Sequence, residues 1–461
     1  HLAQATERWR SDNAFQGLWM SLPAVEVSTS APNARTCIER WLSPMTENGF
    51  RSGMLTLTTT ALGGGVLSVS FVMNICGVGL GCLMLMTGAL LAYLGMDALM
   101  DMSNRTGCSS YAALFSYCAG TKAGPILDAM LFIYGNGTLI LYFVFLGDFI
   151  PNIFQAVMGG ADSPPAEQEK LRTYCVVAAM CTVMPVSLFR DLSMLRVLSP
   201  VMVIGIVYTE LVVLIKCFTS ERSHVEIREV EWSFFPNLQA FSLCVFGYVC
   251  HMNVTPVAKE LESPSDRRIE KVTFRVVVVQ FIIYTLLAVG GYLTFGEGTL
   301  PNLLQNYPAD DWAVLGSRVM LTLTILVAVA TNTNPTVRAL LCLLEMVFPE
   351  MQEEEPQGMA EPTTPPVLKR PAEEPPLRRR LRYVLSITCL LVDTVVALKV
   401  QDVAAVVGLL GATMGTIMMM VIPALLLLNV EKPLFNRGFQ IFLSAVFIVS
   451  ALFNLLASFA V

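Results

Sequence analysis

Apolar runs of about 20 residues, separated by short charged segments, dominate this sequence from residue 54 to its end. A helix of about 20 apolar residues is long enough to cross a hydrocarbon layer about 30 Å thick. Only 14% of the residues are charged, against about 25% in soluble globular domains. The sequence therefore predicts an all-α membrane protein that crosses a lipid bilayer many times.

Eleven such runs are present, and we predict that each forms one transmembrane helix. They are numbered here as spans one to eleven, with apolar cores at residues 54–75, 78–102, 126–150, 173–189, 197–218, 235–258, 274–296, 314–346, 383–400, 403–429 and 438–460. Residues 1–50 are polar and predict a cytoplasmic N-terminal tail. Residues 350–381 are rich in Pro and Glu and cannot bury a core, which predicts a disordered cytoplasmic linker. This linker separates spans one to eight (residues 51–349) from spans nine to eleven (residues 382–461).

The placement of Lys and Arg predicts the direction in which the chain crosses the membrane. With the N-terminus in the cytoplasm, eighteen of the 30 basic residues fall in cytoplasmic loops and seven fall on the opposite side. Basic residues accumulate in the cytoplasmic loops of membrane proteins. We therefore predict a multi-pass protein with a cytoplasmic N-terminus and an extracellular or lumenal C-terminus, in a plasma membrane or an organelle membrane.

The composition argues against several classes of function. The twelve cysteines are scattered without a C-x-x-C pair, so neither metal binding nor redox chemistry is expected. No basic patch supports nucleic-acid binding, and no nucleophile–base pair supports an enzyme. We therefore expect no catalytic residue, no cofactor and no nucleic-acid partner, while the oligomeric state stays open.

Three consecutive glycines lie near the middle of span one. They are Gly63, Gly64 and Gly65, in the stretch TTALGGGVLSV that begins at Thr59. Each glycine costs a helix about 1 kcal/mol relative to alanine, so the run needs an explanation. One interpretation is close packing of helices through small residues. The other is a broken helix, whose freed N–H groups bind a carboxylate.

Span six carries a second interruption. Gly247 is followed there by a run of polar residues and then by a proline: Cys250, His251, Asn253, Thr255 and Pro256. Secondary transporters bind their substrates between two discontinuous helices at corresponding positions of the two halves of the chain. This pair of interruptions favours the broken-helix interpretation and predicts a substrate site between span one and span six.

A resemblance to a known family, described next, implies an amino acid as the substrate, and the predicted site would hold both of its charged ends. We expect the substrate carboxylate on the backbone amides of Gly63–Gly65. We expect the ammonium group on acceptors in the segment from Val249 to Asn253, which includes Cys250 and His251. Tyr134 and Asn136, in the middle of span three, are candidates for the side-chain pocket, with helix packing as the alternative.

The stretch VCHMNVTPVAKELESPSDRRIEKV, residues 249–272, resembles the sixth span and following loop of the amino acid/auxin permease family. It is especially similar to the sodium-coupled neutral amino acid transporters, and GGGVLSVSFVMNICGVGLG resembles their glycine-broken first span. The resemblance implies the eleven-helix fold of the amino acid–polyamine–organocation superfamily, with a five-plus-five inverted repeat and broken helices 1 and 6. It also implies secondary active transport of amino acids by alternating access, as in a symporter.

The coupling ion stays open between Na⁺ and H⁺. Sodium-coupled members of that family have Asn at the position of Thr59, but a threonine hydroxyl can also bind Na⁺, together with Thr331 and Thr333 of span eight. Glu210, in the middle of span five, is a candidate proton carrier, a counter-charge for a cationic substrate, or a structural partner. His251 is either a proton-coupling group or a neutral structural residue.

Three more expectations can be compared with the structure or tested by experiment. The substrates are expected to be neutral amino acids, with cationic amino acids as the alternative. A membrane amino acid sensor on the same fold, with little transport, is the alternative function. Asp128, Asp148 and Asp393 lie near the ends of their spans, where we expect solvated or interfacial side chains.

Overall fold

The computed structural model of the protein describes residues 50–108, 110–158, 164–189, 199–219, 226–261, 265–348, 375–429 and 437–459. Throughout these residues the regular secondary structure is helical, with no β-strand. This confirms the predicted all-α class. The predicted tail (residues 1–50) falls outside the described residues except for Phe50 and stays a prediction. Of the predicted linker (residues 350–381), the structure describes residues 375–381, and residues 376–381 belong to the helix Pro376–Lys399. The disordered linker was therefore predicted too long at this end, because the basic residues before the apolar core are good helix formers, and residues 350–374 stay a prediction.

Fourteen α-helices lie in the described ranges. They are α1 (Phe50–Ala61), α2 (Val69–Thr106), α3 (Tyr111–Ala119), α4 (Ala123–Met158), α5 (Pro165–Ser187), α6 (Ser199–Thr219), α7 (Phe234–Tyr248), α8 (Val254–Glu260), α9 (Asp266–Phe295), α10 (Trp312–Val347), α11 (Pro376–Lys399), α12 (Val403–Leu410), α13 (Ile422–Asn429) and α14 (Arg437–Leu455). Short 3₁₀-helices occur at Gly64–Ser68, His251–Asn253, Gly296–Gly298, Leu303–Asn306 and Leu456–Phe459. Two π-helical segments, Gly411–Gly415 and Ile417–Val421, join α12 to α13.

Nine helical stretches in the described part of the chain are long and apolar enough to cross a membrane. They are Gly65–Thr106, Ala123–Met158, Met202–Thr219, Phe234–Glu260, Asp266–Gly298, Trp312–Val347, Pro376–Lys399, Val403–Asn429 and Arg437–Ser458. The predicted count of eleven is therefore not confirmed. Helix α5, at predicted span four, is not in this set, and four charged residues lie in its first eight positions: Glu167, Glu169, Lys170 and Arg172.

Gly77 interrupts the first of these stretches. A helix of 42 residues would be about 60 Å long, twice the thickness of the hydrocarbon layer. At Gly77 the backbone leaves the helical conformation, with φ 80° and ψ 165°, a region that side chains disfavour. A Cβ at this position would also lie 2.8 Å from the carbonyl oxygen of Glu229. Only glycine suits this point, which lies between the cores predicted for spans one and two.

Span six lies at the centre of the bundle. In Phe234–Glu260, 83% of the residues in the most apolar 18-residue stretch are buried, against 33–61% in the other eight stretches. Helix α7 packs against α2 and α12, while α9 packs along α2 and α10 packs along α4 and α6. Because the central helix is enclosed on all sides, any irregular backbone within it is shielded from lipid, as backbone at membrane depth must be.

Candidate binding site at two helix breaks

The glycine run interrupts span one as predicted. Helix α1 ends at Ala61, the chain bends at Leu62 and Gly63, and a 3₁₀-helix follows at Gly64–Ser68 before α2 begins. Gly63 has φ −81° and ψ −144°, well outside the helical region. We call residues 61–68, which include the last residue of α1, the first break.

The second predicted interruption is also present. Helix α7 ends at Tyr248, Val249 is extended, and Cys250 adopts φ −128° and ψ 12° before the 3₁₀-helix His251–Asn253. Pro256 lies in the first turn of the following helix α8, where its missing N–H would have no helical partner in any case. We call residues 247–253, which include the last two residues of α7, the second break.

The two breaks lie against one another. A Cβ on Gly65 would be 3.1 Å from the Cα of Gly247 and 3.0 Å from the Phe246 ring. The Asn253 amide donates to the Thr60 hydroxyl at 3.1 Å, which joins the second break to the end of α1. The helix is therefore broken at the glycine run, and Gly65 also permits close backbone approach, whereas carboxylate binding by the freed N–H groups stays a prediction.

One face of α4 covers the breaks. Tyr134, Thr138 and Tyr142 are buried and recur every four residues, so they share that face. The Tyr134 ring lies 6.0 Å from the Phe246 ring, and a Cβ on Gly63 would be 3.1 Å from the Tyr142 hydroxyl. Tyr142 was not among the predicted site residues, although its spacing of eight from Tyr134 is a signal that would have found it.

Asn136 is not part of that face. It follows Tyr134 by two positions, which turns it about 200° around the helix. Its side-chain amide donates to the Phe132 carbonyl of the same helix at 2.7 Å. Of the two predicted pocket residues on α4, the structure thus brings only Tyr134 to the breaks.

Cys250 and His251 direct their side chains towards α2. The Cys250 Sγ lies 3.2 Å from the Met96 Sδ. The His251 ring is fully buried against Gly95, where a Cβ would lie 2.8 Å from Nε2. Neither ring nitrogen makes a well-aligned hydrogen bond to any residue that the structure describes, although the Ala92 backbone is close enough to interact. These two side chains fasten the second break to α2.

The three threonines predicted to bind a cation all donate to carbonyls of their own helices. Thr59 donates to Leu55 at 2.9 Å, Thr331 to Val327 at 3.0 Å and Thr333 to Val329 at 2.7 Å. Each hydroxyl oxygen keeps lone-pair capacity for a hard cation. Within the described ranges no hydrogen bond joins Thr59 to either threonine of α10.

Glu210 lies beside the first break. It is 7% exposed and borders a narrow crevice that Val66 and Leu67 of the first break also line. The other lining residues are apolar except for one threonine: Ile206, Thr209, Ile283, Leu287 and Leu321. No described residue forms an ion pair or hydrogen bond with the Glu210 carboxylate. A charge on Glu210 would therefore be uncompensated at a position that touches the first break.

The expectation for Asp393 is wrong, and that for Asp148 needs revision. Asp393 is 1% exposed because α4, α5 and α10 cover this face of α11. Asp148 is half-buried, and it accepts from Asn302 at 2.8 Å and lies 3.7 Å from Arg172. Distance from the end of a span does not decide exposure when neighbouring helices extend past that point.

The chain is similar in sequence to proteins that are named amino acid transporters. A model of the family described as transmembrane amino acid transporter protein matches residues 46–461. Sodium-coupled neutral amino acid transporter 7 of Xenopus laevis is 25% identical over 381 residues, which are 81% of this chain and 79% of that protein. Vacuolar amino acid transporter 5 of Schizosaccharomyces pombe is 27% identical over 62% of this chain and 68% of that protein. Amino acid transporter AAT1 of Toxoplasma gondii is 27% identical over 67% of this chain, but the chain spans only 42% of that relative's length.

Two solved structures have the same fold. The crystal structure of MhsT in complex with L-phenylalanine superposes with a TM-score of 0.53 at 12% identity, over 89% of this chain and 98% of that one. A crystal structure of the Eremococcus coleocola manganese transporter superposes with a TM-score of 0.58 at 12% identity, over 95% and 90% of the two chains. At this identity the likeness shows a shared fold and nothing about substrate.

Proposed function

The chain belongs to the transmembrane amino acid transporter family, and from this premise we propose that it is a secondary active transporter. It carries amino acids across its membrane by alternating access, coupled to a gradient of H⁺ or Na⁺. The observation that carries the proposal is the direct contact between the two breaks at Gly65 and Gly247. Helix breaks expose backbone N–H and C=O groups, which are the partners that the two charged ends of an amino acid need.

Each end of the substrate has its own segment in this proposal. The amides of Gly63–Gly65 bind the carboxylate, and acceptors from Val249 to Asn253 bind the ammonium group. Tyr134 and Phe246 form an uncharged wall beside these two segments. This wall supports neutral amino acids as substrates. The Xenopus laevis relative is named for neutral amino acids, which supports the same class. Transport then follows if the substrate binds the outward and inward states with different affinities.

We assign eleven spans to this architecture. The count follows from the nine apolar stretches if the first is divided at Gly77 and if α5 is included as span four. Helix α1 and residues 62–76 together then form span one. The five-plus-five inverted repeat and the cytoplasmic N-terminus remain part of the proposal, supported by the shared fold and by the placement of basic residues.

Glu210 is the candidate coupling residue that the geometry favours. It borders the first break, and none of the described residues that line this crevice carries a compensating charge. Gain or loss of a proton would therefore change the charge directly beside Val66 and Leu67. Coupling to H⁺ is therefore the preferred alternative. Coupling to Na⁺ through Thr59, Thr331 and Thr333 is the second alternative, and it requires α1 and α10 to bring their hydroxyls together.

Uptake into proteoliposomes tests the function. Purified protein is reconstituted, and labelled neutral and cationic amino acids are offered with and without Na⁺ and with and without an inward proton gradient. We expect accumulation of neutral amino acids that increases with the proton gradient. Saturable binding without accumulation would contradict transport and favour the sensor alternative. Accumulation that requires Na⁺ and ignores the proton gradient would contradict H⁺ coupling.

Glu210→Gln tests the coupling residue within the same assay. We expect stimulation by the proton gradient to fall by about fivefold or more, because a side-chain amide, unlike a carboxyl group, does not gain or lose a net proton at these pH values. Glu226→Gln, at an exposed acid outside the site, is the matched control and should behave as wild type. If only the uptake of cationic amino acids is lost, Glu210 is a counter-charge for the substrate. If neither this uptake nor the stimulation by the proton gradient changes, Glu210 has a structural role.

A further inference from the structure

Tyr284 of α9 touches both breaks with a single atom. Its hydroxyl oxygen lies 2.7 Å from the carbonyl oxygen of Ala61 and 2.6 Å from that of Gly247. Ala61 is the last residue of α1, and Gly247 lies in the last turn of α7. A helical carbonyl accepts from the N–H four residues later, and at both positions the chain has left the helix by then. Tyr284 thus serves two carbonyls that the breaks have orphaned.

The shared hydroxyl cannot satisfy both carbonyls at once. A tyrosine hydroxyl carries one proton, so it donates to one carbonyl oxygen and leaves the other without that donor. Tyr284 is fully buried, so bulk water does not supply the missing donor. A buried carbonyl without a partner costs free energy, which a donor arriving in the site would recover.

The Tyr284 ring is held in place by its neighbours. It lies 5.1 Å from the Tyr248 ring, and a Cβ on Gly247 would be 3.4 Å from its edge. Because α9 also packs along α2 and against α1, the hydroxyl is fixed relative to the helices on both sides of the first break. The spacing between the two carbonyls therefore depends on the position of one rigid side chain.

We propose that Tyr284 is the positioning residue that sets the spacing of the two breaks and leaves one orphaned carbonyl free to accept from a primary ammonium group. This inference rests on the proposed function, since it concerns the same site. It adds a residue on span seven, which the sequence did not point to. It also adds one acceptor for the substrate's ammonium group to those of the segment from Val249 to Asn253. That acceptor is whichever of the Ala61 and Gly247 carbonyls does not accept from Tyr284.

Tyr284→Phe removes the hydroxyl and keeps the ring. We expect the KM for uptake of the best substrate to rise about tenfold, because without the hydroxyl the two carbonyls are no longer held at the spacing that suits the ammonium group, while the maximal rate changes by less than about twofold. Tyr248→Phe is the matched control, because Tyr248 is an adjacent buried tyrosine whose hydroxyl has no partner within the described ranges. Its KM should stay at the wild-type value.

A second substitution keeps the test decisive if Tyr284→Phe does not fold. With 4-aminophenylalanine at position 284, two N–H groups replace the single O–H, so both carbonyls receive a donor. We expect a raised KM together with a melting temperature, measured without substrate, that is not below wild type. A wild-type KM in either variant, or an equal rise in Tyr248→Phe, would overturn the inference. Absence of uptake by the wild type would instead contradict the proposed function.

Discussion

Gly65 shows how one residue serves two purposes at membrane depth. It belongs to the 3₁₀-helix that replaces a regular helical turn, and its missing side chain admits Gly247 and Phe246 of span six. The costs of three glycines in one helix are therefore offset by contacts that no larger residue permits. Glycine is needed here for space, whereas at Gly77 it is also needed for a positive φ.

Gly65→Ala should separate the breaks. The new methyl group would be within 3.1 Å of the Gly247 backbone, which cannot rotate away as a side chain can. Overpacking of this kind costs about 1–3 kcal/mol, so we expect uptake to fall by about tenfold or more. Gly298→Ala is the control, since a Cβ there meets nothing within 4 Å. Uptake is measured at equal amounts of reconstituted protein, and normal uptake by Gly65→Ala would show that the breaks tolerate separation.

At the scale of elements, polar contacts fix the start of α10 and the loop before it. Asp311 caps its first turn, accepting from the N–H groups of Ala313 at 3.1 Å and Val314 at 3.3 Å, and it pairs with Lys216 of α6. Arg318, 1% exposed, donates to four carbonyls of the preceding loop: Leu304, Tyr307, Pro308 and Ala309. A charged residue in an apolar helix thus orders the loop that precedes the helix.

The Asp311 cap should make the stability of the protein depend on pH. Burial raises the pKa of Asp311, but the Lys216 ammonium and the two backbone N–H groups outweigh it, so the pKa lies below its usual 3.8. A carboxyl with a lowered folded-state pKa stabilises the folded state above its unfolded pKa, and this contribution is lost as the pH falls through the folded value.

Asp311→Ala measures that contribution. At pH 7 we expect a loss of about 1 kcal/mol, typical of a removed N-cap, seen as a lower melting temperature in detergent. The difference from wild type should shrink as the pH falls below 3.8, because the wild type then loses the same interaction. Asp310→Ala, at the exposed neighbouring acid, should change little at either pH. A difference that is constant with pH would show that the ionised carboxylate is not responsible.

At the scale of the whole molecule, a buried polar network ties the broken span six to the last two spans. Asn454 of α14 accepts from the Ser242 hydroxyl of α7 at 2.8 Å and donates to the Thr416 hydroxyl at 2.5 Å. Thr416 in turn donates to the Gly411 carbonyl in the π-helical segment of span ten. A Cβ on Gly411 would lie 2.0 Å from the Ser242 carbonyl oxygen, so spans six and ten are in backbone contact.

Asn454→Leu should destabilise the whole bundle. The substitution leaves buried hydroxyls on two other helices without their amide partner, which costs about 1–3 kcal/mol. We expect a melting temperature several degrees below wild type. Asn429→Leu, at an exposed asparagine of α13, provides the control. An unchanged melting temperature for Asn454→Leu would mean that the network contributes nothing to stability.

Much of the fold follows from local properties of the sequence. The length of each apolar run predicted a membrane helix, and Gly63–Gly65 and the segment from Gly247 to Pro256 predicted breaks that the structure contains. Both inferences depend on what a stretch of chain can do by itself in hydrocarbon: how far a helix reaches, and where its backbone cannot stay helical. The α5 helix marks the limit, because its charged first turns make it ambiguous by the same local criteria.

The sequence by itself determined where the chain crosses the membrane and where its helices are interrupted. What only the tertiary structure decided was which side chains meet at those breaks. Tyr284 lies 223 residues from Ala61, and Asn454 lies 212 residues from Ser242, so no local pattern connects them. The position of Asp393 was misjudged for the same reason, since its burial is imposed by three other helices. Spans and breaks are set by the backbone's need for hydrogen bonds within one segment, whereas a binding site is set by packing between segments.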